Sequence, residues 1–305
     1  MSSMISLNQI SGTGVALITP FNSQKDVDYA ALGTHVNFVI NNGVDFLVAL
    51  GTTAETATLS DKEKHEVVKT IKSANAGRLP LILGMGGNNT HQLVDTINKT
   101  DFDGIDGILS VTPYYSKPTQ SGLYQHFKAL AEVSPVPIIL YNVPSRTGTN
   151  LSAETTLRLA RDFENIIAIK EASGDFVQIM DLIKHKPDEF IVLSGDDATT
   201  FPLISLGGDG VISVIANGLP QEFSTMVNEA LHGNYDKARE LHYGFTDILK
   251  DVFIEGNPSG IKALVNMQDI IENQLRLPLL PVSDKTYERL KSQLNAFQAA
   301  IWNTF

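Results

Sequence analysis

Lys170 is the residue whose surroundings point most directly to chemistry. It follows the apolar segment 166–169, so we expect its side chain to be buried. Burial removes the water that stabilises an ammonium group, lowers the pKa of a lysine and makes the neutral amine available as a nucleophile. Such an amine adds to a carbonyl compound and forms an imine. The structural alternative is a strand-end lysine that reaches solvent and pairs with Glu171 or Glu55, and position alone favours this alternative.

Hydroxyl side chains end several other apolar runs of the sequence. They are Thr52, Thr53, Tyr115 and Tyr141. A tyrosine beside a threonine hydroxyl can transfer protons, and the backbone N–H groups of a Gly-Thr-Thr turn can hold a small carboxylate. Each tyrosine alone is more typical of an ordinary strand end than of a catalytic group, but together with Lys170 they favour carbonyl chemistry through an imine. Arg146, in a Pro-Ser-Arg-Thr-Gly loop, is a candidate carboxylate ligand, with a solvated loop arginine as the alternative.

Asp196 and Asp197 follow another apolar run. No further carboxylate and no cluster of histidines stands at a spacing typical of metal ligands. We therefore predict that one of the two aspartates caps the N-terminus of a helix. The spacing of these residues therefore predicts no metal site.

Eight short apolar runs must position these side chains. They begin near Val15, Phe46, Pro80, Asp106, Val136, Ile166, Phe190 and Gly210. Nearly continuous apolar runs of this length are typical of strands buried on both faces of a parallel sheet. Because helical stretches separate them, the pattern predicts an α/β fold, a (β/α)8 TIM barrel, with an open doubly wound sheet as the alternative. In a barrel, the carboxyl ends of the strands gather the functional residues at one face.

Helix signals fill the segments between the runs. Ser60 and Glu63 form a capping-box pattern, and Thr90, Ser121 and Ser152 are further candidate N-caps. After about residue 219 the strand pattern stops and only helical periodicity continues. We therefore predict a barrel catalytic domain over residues 1–232 and a C-terminal helical extension over residues 233–305.

Composition excludes several classes of function. The 305-residue chain has no cysteine and a formal charge of −11. It therefore has no disulfide framework, thiolate nucleophile or cysteine-ligated zinc, and its acidity disfavours nucleic acids and anionic membranes as partners. The first basic residue is Lys25, and no apolar run approaches the ~18 residues of a membrane span. These features predict a soluble, intracellular globular protein of the cytoplasm.

Five motifs, in order along the chain, resemble those of the dihydrodipicolinate synthase family, within the pyruvate-dependent class I aldolase-like superfamily. The resemblance runs from about residue 10 to the C-terminus. The motifs are Gly51-Thr52-Thr53-Ala54-Glu55, Thr112-Pro113-Tyr114-Tyr115, Tyr141-Asn142-Val143-Pro144-Ser145-Arg146-Thr147-Gly148, Ile169-Lys170-Glu171-Ala172 and Ser194-Gly195-Asp196-Asp197.

The resemblance implies a lyase that condenses pyruvate with L-aspartate 4-semialdehyde in diaminopimelate and lysine biosynthesis. The implied roles are the Schiff-base lysine for Lys170, proton transfer for Tyr141, and a relay through Thr52 to Tyr115, which the family takes from a neighbouring subunit. Thr53 matches the pyruvate carboxylate site, Arg146 the semialdehyde carboxylate site, and Gly195 and Ile212 positions whose backbone lines the site. A homotetramer built as a dimer of dimers is implied, without a metal or organic cofactor.

Other members of the superfamily are the main alternative, namely N-acetylneuraminate lyase and 2-keto-3-deoxy-sugar-acid aldolases. Arg146 and the Thr-Thr pair after Gly51 favour the synthase. A barrel that binds a small acid without catalysis is a further alternative, which the presence of both Lys170 and Tyr141 disfavours.

Departures from the family pattern concern feedback inhibition by lysine. Asp61 and Lys64 stand at two positions that are histidines in lysine-sensitive members, and Gln92 stands at a glutamate position, although Asn88 and Tyr114 match. A lysine ligand would lose an acidic partner and meet Lys64, so the sequence predicts weak or absent inhibition.

Overall fold

The computed structural model describes residues 10–301 of the chain. Its strands are β1 (Gly12–Ala16), β2 (Phe46–Ala49), β3 (Leu81–Gly84), β4 (Gly107–Val111), β5 (Ile138–Asn142), β6 (Ile166–Glu171), β7 (Ile191–Ser194) and β8 (Gly210–Ser213). They follow one another in chain order around a closed barrel, and the registered pairs from β3 to β8 are parallel. The predicted (β/α)8 barrel is confirmed, and the open sheet is excluded.

Helices alternate with the strands and continue after the last of them. They are α1 (Tyr29–Asn41), α2 (Asp61–Asn75), α3 (Thr90–Lys99), α4 (Gln120–Ala131), α5 (Pro144–Thr147), α6 (Ala153–Asp162), α7 (Phe176–His185), α8 (Thr200–Ser205), α9 (Pro220–Leu231), α10 (Tyr235–Ile254), α11 (Ser259–Asn266) and α12 (Asp284–Ile301). Within residues 10–301, no helix has the combination of length and apolarity needed to cross a membrane.

The start of β1 is the main difference between the predicted and observed strands. The apolar run begins at Val15, whereas β1 begins three residues earlier, at Gly12. Thr13 is buried despite its hydroxyl, and a Cβ on Gly14 would lie 2.1 Å from the Phe46 ring. Position 13 is therefore buried but polar, and at position 14 the Phe46 ring fills the space of a side chain. Apolar periodicity cannot reveal either position as part of a strand.

Two of the four predicted N-caps are confirmed. Ser60 and Glu63 form the reciprocal capping box of α2, and Ser152 accepts a hydrogen bond from the Thr155 backbone at the start of α6. The other two helices begin earlier than predicted. Asn89, one residue before Thr90, caps α3, and Thr119, two residues before Ser121, caps α4 through the Gly122 N–H.

The chain forms two compact units. The first unit comprises residues 10–14, Asp45–Val48 and Leu79–Ile212, and the second unit comprises Val15–Val44, Ala49–Arg78 and residues 213–301. The predicted domain boundary at residues 232 and 233 falls in the turn between α9 and α10. That division stays a prediction, and residues 1–9 and 302–305, which it includes, lie outside the described residues.

Candidate active site

The pairing of β5 with β6 places the side chains of Tyr141 and Lys170 together. These two residues are direct partners in the parallel register, and Asn142 and Glu171 are the next pair. Because successive side chains of a strand point to opposite faces, Tyr141 and Lys170 share one face and Asn142 and Glu171 share the other. The Lys170 Nζ lies 4.5 Å from the centroid of the Tyr141 ring. Both side chains are buried, Lys170 to 5% exposure.

Neither carboxylate that the sequence offered as a structural partner pairs with Lys170. Glu171 accepts hydrogen bonds from Asn142 Nδ2 at 3.1 Å, the Ser173 N–H at 2.6 Å and Gln178 Nε2 at 3.1 Å. Glu55 is bound elsewhere, to Lys262 Nζ at 2.5 Å. The interpretation of Lys170 as a solvent-reaching, carboxylate-paired lysine is therefore wrong for the structure of the described residues.

Burial is the main influence on the protonation of Lys170. It lowers the pKa of the amine from 10.5 to about 8, because the ammonium form has lost its water. The negative charges of Asp197 and Asp196 raise this pKa, and the positive charge of Arg146 lowers it, with smaller effects. The balance leaves a substantial neutral fraction near neutral pH, which is the form that attacks carbonyl carbon.

Gly195 provides the space that the Lys170 side chain occupies. A Cβ at this position would lie 2.7 Å from the Cβ of Ala172 and 3.1 Å from Cε and Cγ of Lys170. The Gly195 N–H donates to the Glu171 carbonyl at 2.8 Å, which fixes the backbone beside the lysine. Any larger residue would therefore displace the lysine stem. Ile212, the other predicted lining position, is fully buried in β8.

The two aspartates after β7 have different environments. Asp196 caps the 3-10 turn Asp197–Thr199 by accepting from the Ala198 N–H at 3.0 Å, which confirms the predicted capping role. Asp197 is buried, and it exerts the larger carboxylate influence on Lys170. The pair therefore shapes the electrostatics of the lysine.

Arg146 and Tyr115 belong to the first unit, and both are exposed. Arg146 is exposed in the four-residue helix α5, which directly follows β5. Tyr115 has a backbone φ of 73° and is 90% exposed, so within its own chain its phenol is directed to solvent. Its N–H donates to the Thr147 carbonyl at 3.4 Å, which ties its backbone to the loop that carries Arg146.

Thr52 and Thr53 belong to the second unit and form a 3-10 turn, Thr52–Ala54, after β2. Thr52 is exposed, whereas Thr53 is buried and its Oγ1 accepts a hydrogen bond from Asn257 Nδ2 at 2.9 Å. Their predicted approach to Lys170 stays a prediction.

The sequence analysis missed the buried polar residues around that turn. Asn257 and Lys262 lie more than 200 positions from their partners Thr53 and Glu55. Lys262 carried a usable signal, since it stands inside an apolar helix, with Ile261 before it and Ala263 after it, as Lys170 stands at the end of an apolar strand. Asn257 carried none.

The fold and this cluster define a class. The chain is a (β/α)8-barrel protein with a buried, partly neutral lysine near the carboxyl end of its sixth strand, beside a tyrosine ring. Such a lysine is equipped for covalent chemistry on a carbonyl group.

Comparison with known proteins gives the family. The model of the dihydrodipicolinate synthetase family matches residues 9–297, so the chain belongs to this family. The 4-hydroxy-tetrahydrodipicolinate synthase of Parabacteroides distasonis is 54% identical, over 93% of this chain and 96% of its own length. The chloride-inhibited dihydrodipicolinate synthase of Acinetobacter baumannii, solved with pyruvate, is 39% identical with a TM-score of 0.91, over 95% and 99% of the two chains. A dihydrodipicolinate synthase variant described as monomeric is also 39% identical, with a TM-score of 0.92 over 96% and 98%.

Proposed function

We propose that this chain condenses pyruvate with L-aspartate 4-semialdehyde to give 4-hydroxy-tetrahydrodipicolinate, the product that the names of its curated relatives specify. The observation that carries the proposal is the Lys170 amine, buried against the Tyr141 ring with its pKa lowered to about 8. A pyruvate-bound relative of the same fold supports pyruvate as the first substrate.

In this proposal, Lys170 Nζ adds to the C2 carbonyl of pyruvate, and loss of water gives an imine. The imine draws electrons from the methyl group, so one methyl proton leaves and an enamine forms. The enamine carbon attacks the aldehyde carbon of the semialdehyde, whose oxygen takes up a proton. The amino group that came with the semialdehyde then attacks the imine carbon, which closes the ring and releases the Lys170 amine. Tyr141, beside Nζ, is the group placed to carry protons in these steps.

The two substrate carboxylates are assigned to different elements. Thr53 and the backbone of its turn receive the pyruvate carboxylate, and Arg146 receives that of the semialdehyde, because a guanidinium group binds carboxylates through paired hydrogen bonds. Replacement of Arg146 with Ala should raise the KM for the semialdehyde far more than the KM for pyruvate. An equal rise in both would contradict its assignment.

The proposed enzyme is a homotetramer in which Tyr115 serves the neighbouring subunit, through the Thr52 hydroxyl. The 90% exposure of Tyr115 in its own chain supports this role. Mixed oligomers provide the test, since reassembly of Tyr115→Phe with Lys170→Arg subunits pairs an intact lysine with an intact tyrosine. Activity well above the mean of the two parents is expected. A mixed-oligomer activity equal to the mean of the two parents, or a fully active monomer in sedimentation, would contradict the role of Tyr115 in a neighbouring subunit.

The assay for the overall reaction supplies the full chain with pyruvate and the semialdehyde. It detects the product through a reductase that consumes it. Turnover is expected, with loss in Lys170→Arg, which keeps the charge but removes the nucleophile. Cleavage of N-acetylneuraminate or a 2-keto-3-deoxy sugar acid, without condensation, would instead establish the alternative, and the synthase names of the curated relatives disfavour it. We also propose that the enzyme acts in the cytoplasm, the location that its cysteine-free composition favours.

A further inference from the structure

We propose that Asn257 is a positioning residue. It orients the Thr53 hydroxyl so that this hydroxyl donates a hydrogen bond to the carboxylate of the 2-oxo acid. The inference rests on the proposed function of Thr53. It adds a residue outside the five sequence motifs, contributed by the segment just before α11.

The direction of one hydrogen bond carries the inference. Asn257 Nδ2 donates to Thr53 Oγ1 at 2.9 Å, and both residues are buried. A hydroxyl group has a single proton and two lone pairs. Once a lone pair accepts from the asparagine amide, the hydroxyl proton remains for a second partner, and that partner must be an acceptor. A carboxylate is such an acceptor, and a hydrogen bond to it is charge-assisted.

The same C-terminal segment also fixes the backbone of the turn. Glu55, directly after it, has a left-handed φ of 54°, a backbone conformation that is unfavourable for a residue with a side chain. Its carboxylate binds Lys262 Nζ of α11 at 2.5 Å, with both side chains fully buried, and accepts from the Arg276 N–H at 3.0 Å. The Ala54 carbonyl accepts from Thr19 Oγ1 at 2.8 Å. Contacts to distant residues, rather than local preference, therefore hold Thr53 in place.

A cycle of variants separates positioning from general support of the fold. The set is Asn257→Ala, Thr53→Val, the double variant, and Asn257→Asp, each measured for KM of both substrates, kcat and thermal stability. We expect Asn257→Ala and Thr53→Val each to raise the KM for pyruvate about tenfold, the scale of one hydrogen bond to a charged group. The double variant should match Thr53→Val alone, because Asn257 acts only through that hydroxyl. In Asn257→Ala, the KM for the semialdehyde and kcat should change by less than about twofold.

Two further comparisons sharpen the test. Asn257→Asp replaces the donor by an acceptor, which turns the Thr53 proton away from the substrate, so its KM for pyruvate should exceed that of Asn257→Ala. Asn266→Ala is the matched control. Asn266 ends α11, donates a hydrogen bond to the Ile271 carbonyl and accepts one from the Tyr287 hydroxyl. This variant should lower thermal stability without changing the KM for pyruvate.

The outcomes are distinguishable. If Thr53→Val leaves the KM for pyruvate unchanged, the proposed carboxylate site is wrong, and the role of Asn257 is wrong with it. If Thr53→Val acts but Asn257→Ala does not, or if their effects multiply in the double variant, only the positioning role is overturned. Should Asn257→Ala fail to fold, Asn257→Ser takes its place in the same cycle.

Discussion

The pH dependence of imine formation follows from the buried position of Lys170. At a pKa of about 8, about one amine in eleven is neutral at pH 7, against about one in 3,000 at the ordinary value of 10.5. Burial thus makes the amine about 300-fold more available. Raising the pH from 7 to 9 should increase the rate of pyruvate adduct formation about tenfold and then level off, whereas an unperturbed lysine would continue to rise, by about 100-fold.

The assay follows single-turnover adduct formation at subsaturating pyruvate, with samples quenched in borohydride and analysed by mass spectrometry. Asp197→Asn is the internal check, because that carboxylate raises the pKa of Lys170 and its removal should shift the midpoint to lower pH. A rise of about 100-fold without a plateau, or a midpoint that moves upward in Asp197→Asn, would refute the reasoning.

Three further predictions concern the surroundings of the site. Glu55→Gln leaves the buried Lys262 ammonium without its partner and should lower the free energy of unfolding by about 3–5 kcal/mol in denaturant titration. The double variant with Lys262→Met should recover part of this loss. A loss below about 1 kcal/mol for Glu55→Gln would contradict the prediction. Gly195→Ala places a methyl group against the lysine stem and should lower kcat at least about tenfold in the coupled assay; wild-type kcat would show that the stem has room to move. Lysine at millimolar concentration should leave initial rates nearly unchanged, and strong inhibition below millimolar would refute the prediction drawn from Lys64 and Gln92.

Apolar periodicity predicted the barrel because strands buried on both faces leave short apolar runs that amphipathic helices separate. Apolar periodicity failed at the start of β1, because the first three residues, 12–14, have no apolar side chain and the Phe46 ring fills the space beside Gly14. It also misplaced two N-caps by one or two residues, since several hydroxyl and amide side chains near α3 and α4 are chemically suitable and only geometry selects among them.

The candidate site was predictable where chemistry and strand position coincide. Lys170 stood out because an ionisable residue directly follows an apolar strand, and the strand register then explains why Tyr141 shares its face while Glu171 does not. The support of Thr53 by Asn257 was not predictable. That contact joins positions 204 residues apart in sequence, and an asparagine in a loop carries no pattern that distinguishes a buried donor from a solvated one.

The covalent adduct on Lys170 is the measurement that tests the enzymatic interpretation most directly. The full chain is incubated with pyruvate, reduced with borohydride, digested and sequenced by mass spectrometry, with Lys262 as the internal control, because it is also a buried lysine but is paired with Glu55. We predict one reduced pyruvyl group per chain, confined to Lys170 and absent from Lys170→Arg. An unmodified Lys170, or an adduct distributed over other lysines, would contradict imine catalysis at this site.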